Sequence, residues 1–239
     1  MMPSHAMVLA AGLGLRMRPL TLERPKPLIE VAGRTMLDRV LDHLDAAGIG
    51  SVVVNSHYKS EMISAHLAGR PSVALSHEEV LLETGGGVAK ALPLLGAEPF
   101  VVANSDIVWL DGATPALARL AAAWDGAAMD ALLLFHETTA AFGYEGRGDF
   151  FLDSLGRPQR RGEREVAPYL FAGVQLLHPR LVRDVPAGPF SLNLLYDRAL
   201  AARRLFAIVH DGEWYHIGTP DALPEAETLI REREQGAQA

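Results

Sequence analysis

The chain has 239 residues and a formal net charge of -7, which suits one α/β domain and argues against a general nucleic-acid binder. It holds no cysteine, so a disulfide framework and a Cys-ligated zinc site are both excluded. Apolar residues make up 49%, enough for a sizeable core, but no apolar run reaches the roughly 18 residues of a membrane span, and Met1 to Ala6 has no signal-type character; a soluble cytoplasmic protein without membrane attachment is expected.

Met7 to Ala11 is a continuous apolar run of strand length, ended by glycine. The following loop, Gly12 to Pro27, is long and rich in Arg and Pro. Thr35 reads as a helix N-cap with Asp38 three residues on, and Met36, Leu37, Val40, Leu41 and Leu44 recur at helical spacing. Gly48 and Gly50 end that helix, and Ser51 to Asn55 is a second strand. The alternation continues: helix Ser60 to Leu67, strand Ser72 to Ser76, helix Thr84 to Leu95, strand Pro99 to Ala103, helix Thr114 to Trp124, strand Ala131 to His136. Such alternation predicts a Rossmann-like, mostly parallel central sheet flanked by helices.

From Phe142 to Glu165 the pattern breaks into glycine, charge and short β-like pieces (Asp149 to Leu152, Pro158 to Arg161), read as a β-rich lid over the sheet for a second substrate. Tyr169 to Leu177 is again an apolar strand, Ser191 to Arg203 a helix, and Leu205 to His210 and Glu213 to Ile217 strands. Thr219-Pro220 opens the last helix, and the polar tail from Glu232 is expected to fray. One domain is expected, with a first part to about residue 136, a second over 137–218 and a closing helix over 219–235.

The chemistry concentrates at the first strand. Gly12 and Gly14 free backbone amides beside the cations Arg16, Arg18 and Lys26, which is what a polyphosphate requires. No Gly-Lys-Ser/Thr follows, so this is not a Walker A loop, and the third glycine of a dinucleotide fingerprint is missing. Asn104-Ser-Asp106 ends another strand, and ligands in open α/β sheets bind beyond the carboxyl ends of strands. Asp106 and the Gly12 loop are therefore expected to meet in one crevice. A carboxylate beside a triphosphate calls for a cation between them, and Mg²⁺ accepts one or two carboxylates plus phosphate oxygens and waters.

The run Ala10-Ala-Gly-Leu-Gly-Leu-Arg-Met-Arg-Pro-Leu-Thr21, then Pro25-Lys26-Pro27-Leu28, Val31-Ala-Gly33, Glu83-Thr-Gly-Gly-Gly87, Asn104-Ser-Asp106 and Trp214-Tyr-His-Ile-Gly-Thr219, resembles the signature of sugar-phosphate nucleotidyltransferases. The resemblance covers nearly the whole chain. It implies a glycosyltransferase-A-like fold and transfer of a nucleotidyl group from a nucleoside triphosphate to a sugar 1-phosphate, with pyrophosphate released. Within the family, the short length, the run Leu82 to Leu95 and the ending Gly218 to Ile230 most resemble the uridylyltransferases that act on N-acetylmuramate 1-phosphate in cell-wall recycling. Mannose 1-phosphate guanylyltransferases are the nearest alternative, and a non-catalytic nucleotide-sugar-binding regulator is an alternative of another class.

By the resemblance, Arg16 holds the triphosphate and departing pyrophosphate, and Lys26 sits by the reacting phosphorus. Ala10, Ala11, Gly12, Gly14, Glu83, Thr84, Gly85 and Asn104 are the nucleotide-binding candidates. The sugar-binding candidates are Glu145, Arg160, Arg161, Gly173 and Asn193; Arg160, Arg161 and Arg164 are the local cations for a lactyl carboxylate. The substrates are the expected partners, on a monomer or small homo-oligomer.

Two departures from the family pattern stand out. Ser105 replaces a usual glycine, and His216 replaces the aspartate that in many relatives is the second metal ligand. Asp106 and His216 are the metal candidates, for Mg²⁺ or, given an imidazole ligand, Mn²⁺. Three readings of His216 stand open: a ligand for a softer metal, a phosphate contact while Asp106 alone holds Mg²⁺, or a weakened enzyme. The second is favoured. His136, His178 and His210 have no metal spacing and read as structural.

Overall fold

The computed structural model describes residues 1–163 and 165–236. Its strands and helices run in the order β1 (His5–Leu9), α1 (Leu20–Glu23), β2 (Glu30–Val31), β3 (Arg34–Thr35), α2 (Met36–Ala46), β4 (Ser51–Ser56), α3 (Ser60–Leu67), β5 (Val73–His77), α4 (Glu83–Leu95), β6 (Phe100–Asn104), β7 (Ile107–Leu110), α5 (Ala116–Ala123), β8 (Ala131–Glu137), β9 (Phe150–Leu152), β10 (Pro158–Arg160), β11 (Tyr169–Leu177), α6 (Asn193–Ala201), β12 (Leu205–Val209), β13 (Glu213–His216) and α7 (Ala222–Gly236).

The first half of the main sheet is parallel: β1 lies between β4 and β6, and β4 carries β5 on its outer side. β11 then pairs antiparallel with β6 and with β8, and β12 runs parallel to β8. Helices cover both faces, which is why the central strands read as unbroken apolar runs. Ala6 and Val8 face one way, against Leu37, Val40, Leu41 and Leu44 of α2. Met7 faces the other, against Val88, Ala91 and Leu95 of α4. The Thr35 side chain caps α2 by accepting the Asp38 amide at 3.0 Å, a bond worth about 1 kcal/mol.

The β9–β10 hairpin extends the sheet edge, with Phe150 paired antiparallel to Tyr169 at the start of β11, so it continues the sheet instead of forming a separate layer. β7 and β13 form their own two-stranded ribbon in which His216 stands opposite Ile107, next in sequence to Asp106. A third apolar cluster joins this ribbon (Val108, Tyr215) to Ala226 and Ile230 of α7 and to Met17, Ile29 and Val31. The C-terminal helix thereby supports the loop over 12–27.

Several boundaries differ from expectation. The loop over 12–27 is not structureless: it contains a 3-10 turn over Leu15–Met17 and the short helix α1. The ribbon strand β7 and the β2–β3 pair were not expected, because two to four residues carry too little pattern. The last helix starts at Ala222 instead of Thr219 and stays helical past Glu232, through Gly236. Its first turn tolerates Pro224, since an amide there needs no helical partner.

Candidate active site

The register Leu9↔Asn104 ends β1 and β6 at the same level, so the chain releases Ala10 and Ser105-Asp106 side by side. Ser105 explains itself here: its buried hydroxyl donates to the Leu9 carbonyl at 2.6 Å, tying the two strand ends together. The cleft they open onto has a volume of about 660 Å³. Its walls include Ala10, Ala11, Gly12, Gly14, Arg16 and Lys26 on one side and Asn104, Asp106, Glu83 and Thr84 on the others.

Gly14 is required by its geometry. Its φ is +61°, and a Cβ there would stand 2.9 Å from Thr21 Cγ2 and 3.1 Å from Lys26 Cβ. That close approach lets the buried Thr21 hydroxyl donate to the Gly14 carbonyl at 2.9 Å, while Tyr58 donates its hydroxyl to the Thr21 carbonyl at 2.8 Å. The loop is thus folded back on itself, and Lys26 is buried beneath it. A side chain on Gly12 would meet open space, so that position faces the cleft without obstruction.

Lys26 Nζ donates to Asp106 Oδ2 at 3.0 Å. Burial works against the Asp106 charge, but Lys26 outweighs it, aided by His216 and Arg16, and holds the carboxyl below the ordinary range. Burial depresses the His216 imidazole; Asp106 opposes that, while Lys26 and Arg16 reinforce it, and the net direction is downward. His216 is therefore neutral near pH 7, with a ring nitrogen able to accept. Arg16 is exposed and joins the group from across Gly218: a Cβ on Gly218 would lie 2.7 Å from His216 Nε2 and 3.7 Å from an Arg16 guanidinium nitrogen. The cleft wall carries two cations, Arg16 and Lys26, with the carboxylates of Asp106 and Glu83, and the His216 imidazole lies against Gly218 of that wall. This is the charge pattern of phosphoryl-group handling.

The family model of the MobA-like NTP transferase domain matches residues 6–237. The chain belongs to this family. It is 44% identical over 237 residues to N-acetylmuramate alpha-1-phosphate uridylyltransferase of Caulobacter vibrioides, covering 96% of this chain and 98% of the relative. It is 34% identical over 232 residues to the enzyme of the same name from Neisseria meningitidis, covering 94% and 97%. Among solved structures, a UDP-glucose pyrophosphorylase complexed with UDP-glucose superposes with a TM-score of 0.79 at 14% identity, covering 97% of this chain and all (100%) of that one, which speaks for the fold alone.

Not every nucleotide-side candidate of this NTP transferase presents a free group to the cleft. The Ala10 amide already donates to Asn55 Oδ1 at 2.6 Å. Gly85 lies behind the wall: its amide donates to the Phe190 carbonyl at 2.8 Å, and a Cβ would strike the Phe190 ring. The Thr84 hydroxyl accepts the Leu192 amide at 2.9 Å. Glu83 is exposed at the rim with φ +58°, unusual for a side chain of its size.

Among the residues expected to bind a sugar, Gly173 has φ +80°, and a Cβ would come within 3.1 Å of the Asn104 side-chain amide nitrogen, so Asn104 packs on the β11 bulge. Arg160 is held by Asp197 at 2.5 Å and by Asn193 Oδ1 at 3.1 Å. Arg161 donates to the carbonyls of Gly148 and Gly162 at 2.7 and 3.0 Å. Glu145 is exposed. These five residues do not border the 660 Å³ cleft itself. Arg164 lies outside the described residues.

Sequence reasoning missed Asn55, although a polar residue closing the apolar run Val52–Val54 is the same signal that marks Asn104. It also missed the buried Glu78 and the Trp214 indole, which donates to the Ala172 carbonyl at 2.9 Å and stacks on His216 with ring centroids 6.1 Å apart.

Proposed function

We propose that this chain transfers the uridylyl group of UTP to N-acetylmuramate 1-phosphate and releases pyrophosphate. The observation that carries the reading is the convergence of Arg16, Lys26 and Asp106 on one cleft at the ends of β1 and β6. The substrate pair is taken from the relatives that match over nearly their full length. Residues up to about 136 form the nucleotide side, and 137–218 the sugar side.

A phosphate oxygen of the sugar 1-phosphate attacks the α-phosphorus in line. The bond from that phosphorus to the α–β bridging oxygen breaks, and pyrophosphate leaves with the electron pair. The nucleophile is already anionic near pH 7, so no protein base has to remove a proton. The side chains position and neutralise: Arg16 holds the outer phosphates, and Lys26 lies against the reacting phosphoryl oxygens. A fixed cation in that place is worth about 3–4 kcal/mol of transition-state stabilisation.

The donor set fits a divalent cation. Lys26 engages only Oδ2 of Asp106, and no group of three acidic or imidazole side chains stands together among the described residues. The protein thus offers one carboxylate with a neutral imidazole near it, and Mg²⁺ accepts such a sparse set when phosphates and waters complete it. When bound there, the cation supplies charge neutralisation across the triphosphate. Asp106 would hold it. The His216 imidazole, with Mn²⁺ as its better partner, completes the site as ligand or as phosphate contact.

The test is pyrophosphate release from purified protein with Mg²⁺ or Mn²⁺, across UTP, GTP, CTP and dTTP combined with N-acetylmuramate, N-acetylglucosamine, glucose and mannose 1-phosphates. Highest kcat/KM for UTP with N-acetylmuramate 1-phosphate supports the reading. Preference for GTP with mannose 1-phosphate replaces it with the guanylyltransferase alternative, and no turnover with any pair overturns it.

A further inference from the structure

We propose that Glu78 is a positioning residue for the nucleotide, setting both walls of the cleft from a buried place the substrates never touch. Its side chain lies behind the cleft, and the residue is 1% exposed. Oε1 accepts the Asn55 side-chain amide at 2.7 Å, and Oε2 accepts the Leu82 backbone amide at 2.9 Å. Asn55 in turn accepts the Ala10 amide on its Oδ1 at 2.6 Å. One carboxylate therefore connects Ala10, where the Gly12–Gly14 loop departs, to Leu82, which precedes Glu83 and Thr84 on the facing wall.

The direction of the hydrogen bonds makes the carboxylate specific. A backbone amide can only donate, so Ala10 requires the Asn55 oxygen, which turns the Asn55 NH₂ toward Glu78. Leu82 also only donates. The residue at 78 must accept from both sides, and an ionised carboxylate is the acceptor-only group of that size. Glutamine would place its own NH₂ against either Asn55 or Leu82, leaving two donors facing each other. The fold makes room for the arrangement at Gly87, where a Cβ would lie 2.8 Å from both Asn55 Nδ2 and Glu78 Oε1. No described cation pairs with Glu78, so amide donors and the start of α4 are what support its charge. A buried carboxylate held only by dipoles is an expensive way to pack a core. It makes sense where two loops must keep a fixed spacing.

The proposal rests on the transfer reading only for its choice of substrates. The variant is Glu78→Gln, with Asp130→Asn as control: Asp130 ties Arg180 and Arg204 before the start of β8, remote from the cleft. In Glu78→Gln the KM for UTP is expected to rise about tenfold or more while the KM for the sugar 1-phosphate stays within twofold. Asp130→Asn is expected to lower Tm and leave both KM values in place. Amide hydrogen exchange without substrates is an independent readout: Glu78→Gln should release protection at Ala10 and Leu82, whereas Asn55→Ala should release Ala10 alone. A fall in Tm with unchanged KM for UTP, or equal rises in both KM values, overturns the proposal. If Glu78→Gln does not fold, Asn55→Ala carries the same KM comparison. A wild type that prefers another triphosphate defeats the substrate reading, while the variant comparison on that triphosphate and the exchange measurement still decide the role of Glu78.

Discussion

The ammonium of Lys26 lies 3.0 Å from Oδ2 of Asp106 across 80 residues of sequence, with the lysine side chain 9% exposed and the carboxylate 38%. The pair keeps the buried Lys26 charge compensated before a substrate arrives, since a buried charge without a partner costs several kcal/mol. It also places a cation and an anion at the same point of the cleft.

Lys26→Met is predicted to lower kcat/KM by about 10²- to 10³-fold, the scale of losing one fixed electrostatic contact to the reacting group. It also removes the main support for the Asp106 charge, so that carboxyl moves up toward its ordinary range. Steady-state pyrophosphate release checks this. Activity within threefold of wild type would remove Lys26 from the reaction.

His216→Asp is predicted to lower the Mg²⁺ concentration that half-saturates activity by severalfold and to reduce any preference for Mn²⁺. The substitution trades a neutral nitrogen for a hard anionic oxygen beside Asp106. Metal titrations of wild type and variant decide it. Identical titration curves for both metals would place the imidazole away from the cation.

Glu83→Gly is expected to separate stability from function. The glutamate at φ +58° carries about 1–2 kcal/mol of backbone strain, which glycine relieves, against about 0.5–1 kcal/mol of extra chain entropy in the unfolded state. The net gain of about 0–1.5 kcal/mol leaves Tm unchanged or raises it by up to about 5 °C. Removal of the carboxylate from the rim is expected to raise the KM for UTP. A lower Tm with unchanged KM would make Glu83 a purely local structural feature.

Burial depresses the His210 imidazole, with His136 adding to the effect, and the backbone acceptors at Leu110 and Glu213 together with the Asp111 charge do not reverse it. The unfolded state therefore binds the proton first. Stability is fully present above the unfolded value of about 6.5 and falls as pH drops below it, until the folded value is reached. His210→Gln keeps a donor toward the Leu110 carbonyl, which the Nε2 atom contacts at 3.0 Å, but does not titrate. Between pH 7 and 5 the wild-type Tm should fall more steeply than that of the variant. Parallel curves would show that His210 does not govern acid stability.

Much of this molecule was legible in its chain. The apolar runs of β1, β4 and β6 are uninterrupted and buried on both faces, and with the helices between them they mark interior parallel strands. Thr35 and Asp38 mark a helix start by local chemistry that does not depend on the rest of the fold. The motif around Gly14, Arg16 and Lys26 points to the family because those residue types are close in sequence. Ser105 and His216 could be seen as departures from a pattern, but not explained by it.

What required the tertiary structure is every relation between distant segments. No local signal says that the Ala10 amide is bonded to Asn55, that Phe190 accepts the Gly85 amide, or that Asp197 and Asn193 hold Arg160. Local propensity and burial act on neighbours in the chain, and so composition, strand pattern and the phosphate motif determine class and chemistry from the sequence alone. The hydrogen-bond partner of a buried donor is chosen by which strands lie side by side. Here the strand order and the register of β1 on β6 bring Lys26 to Asp106, and the pairing of β7 with β13 sets His216 opposite Ile107.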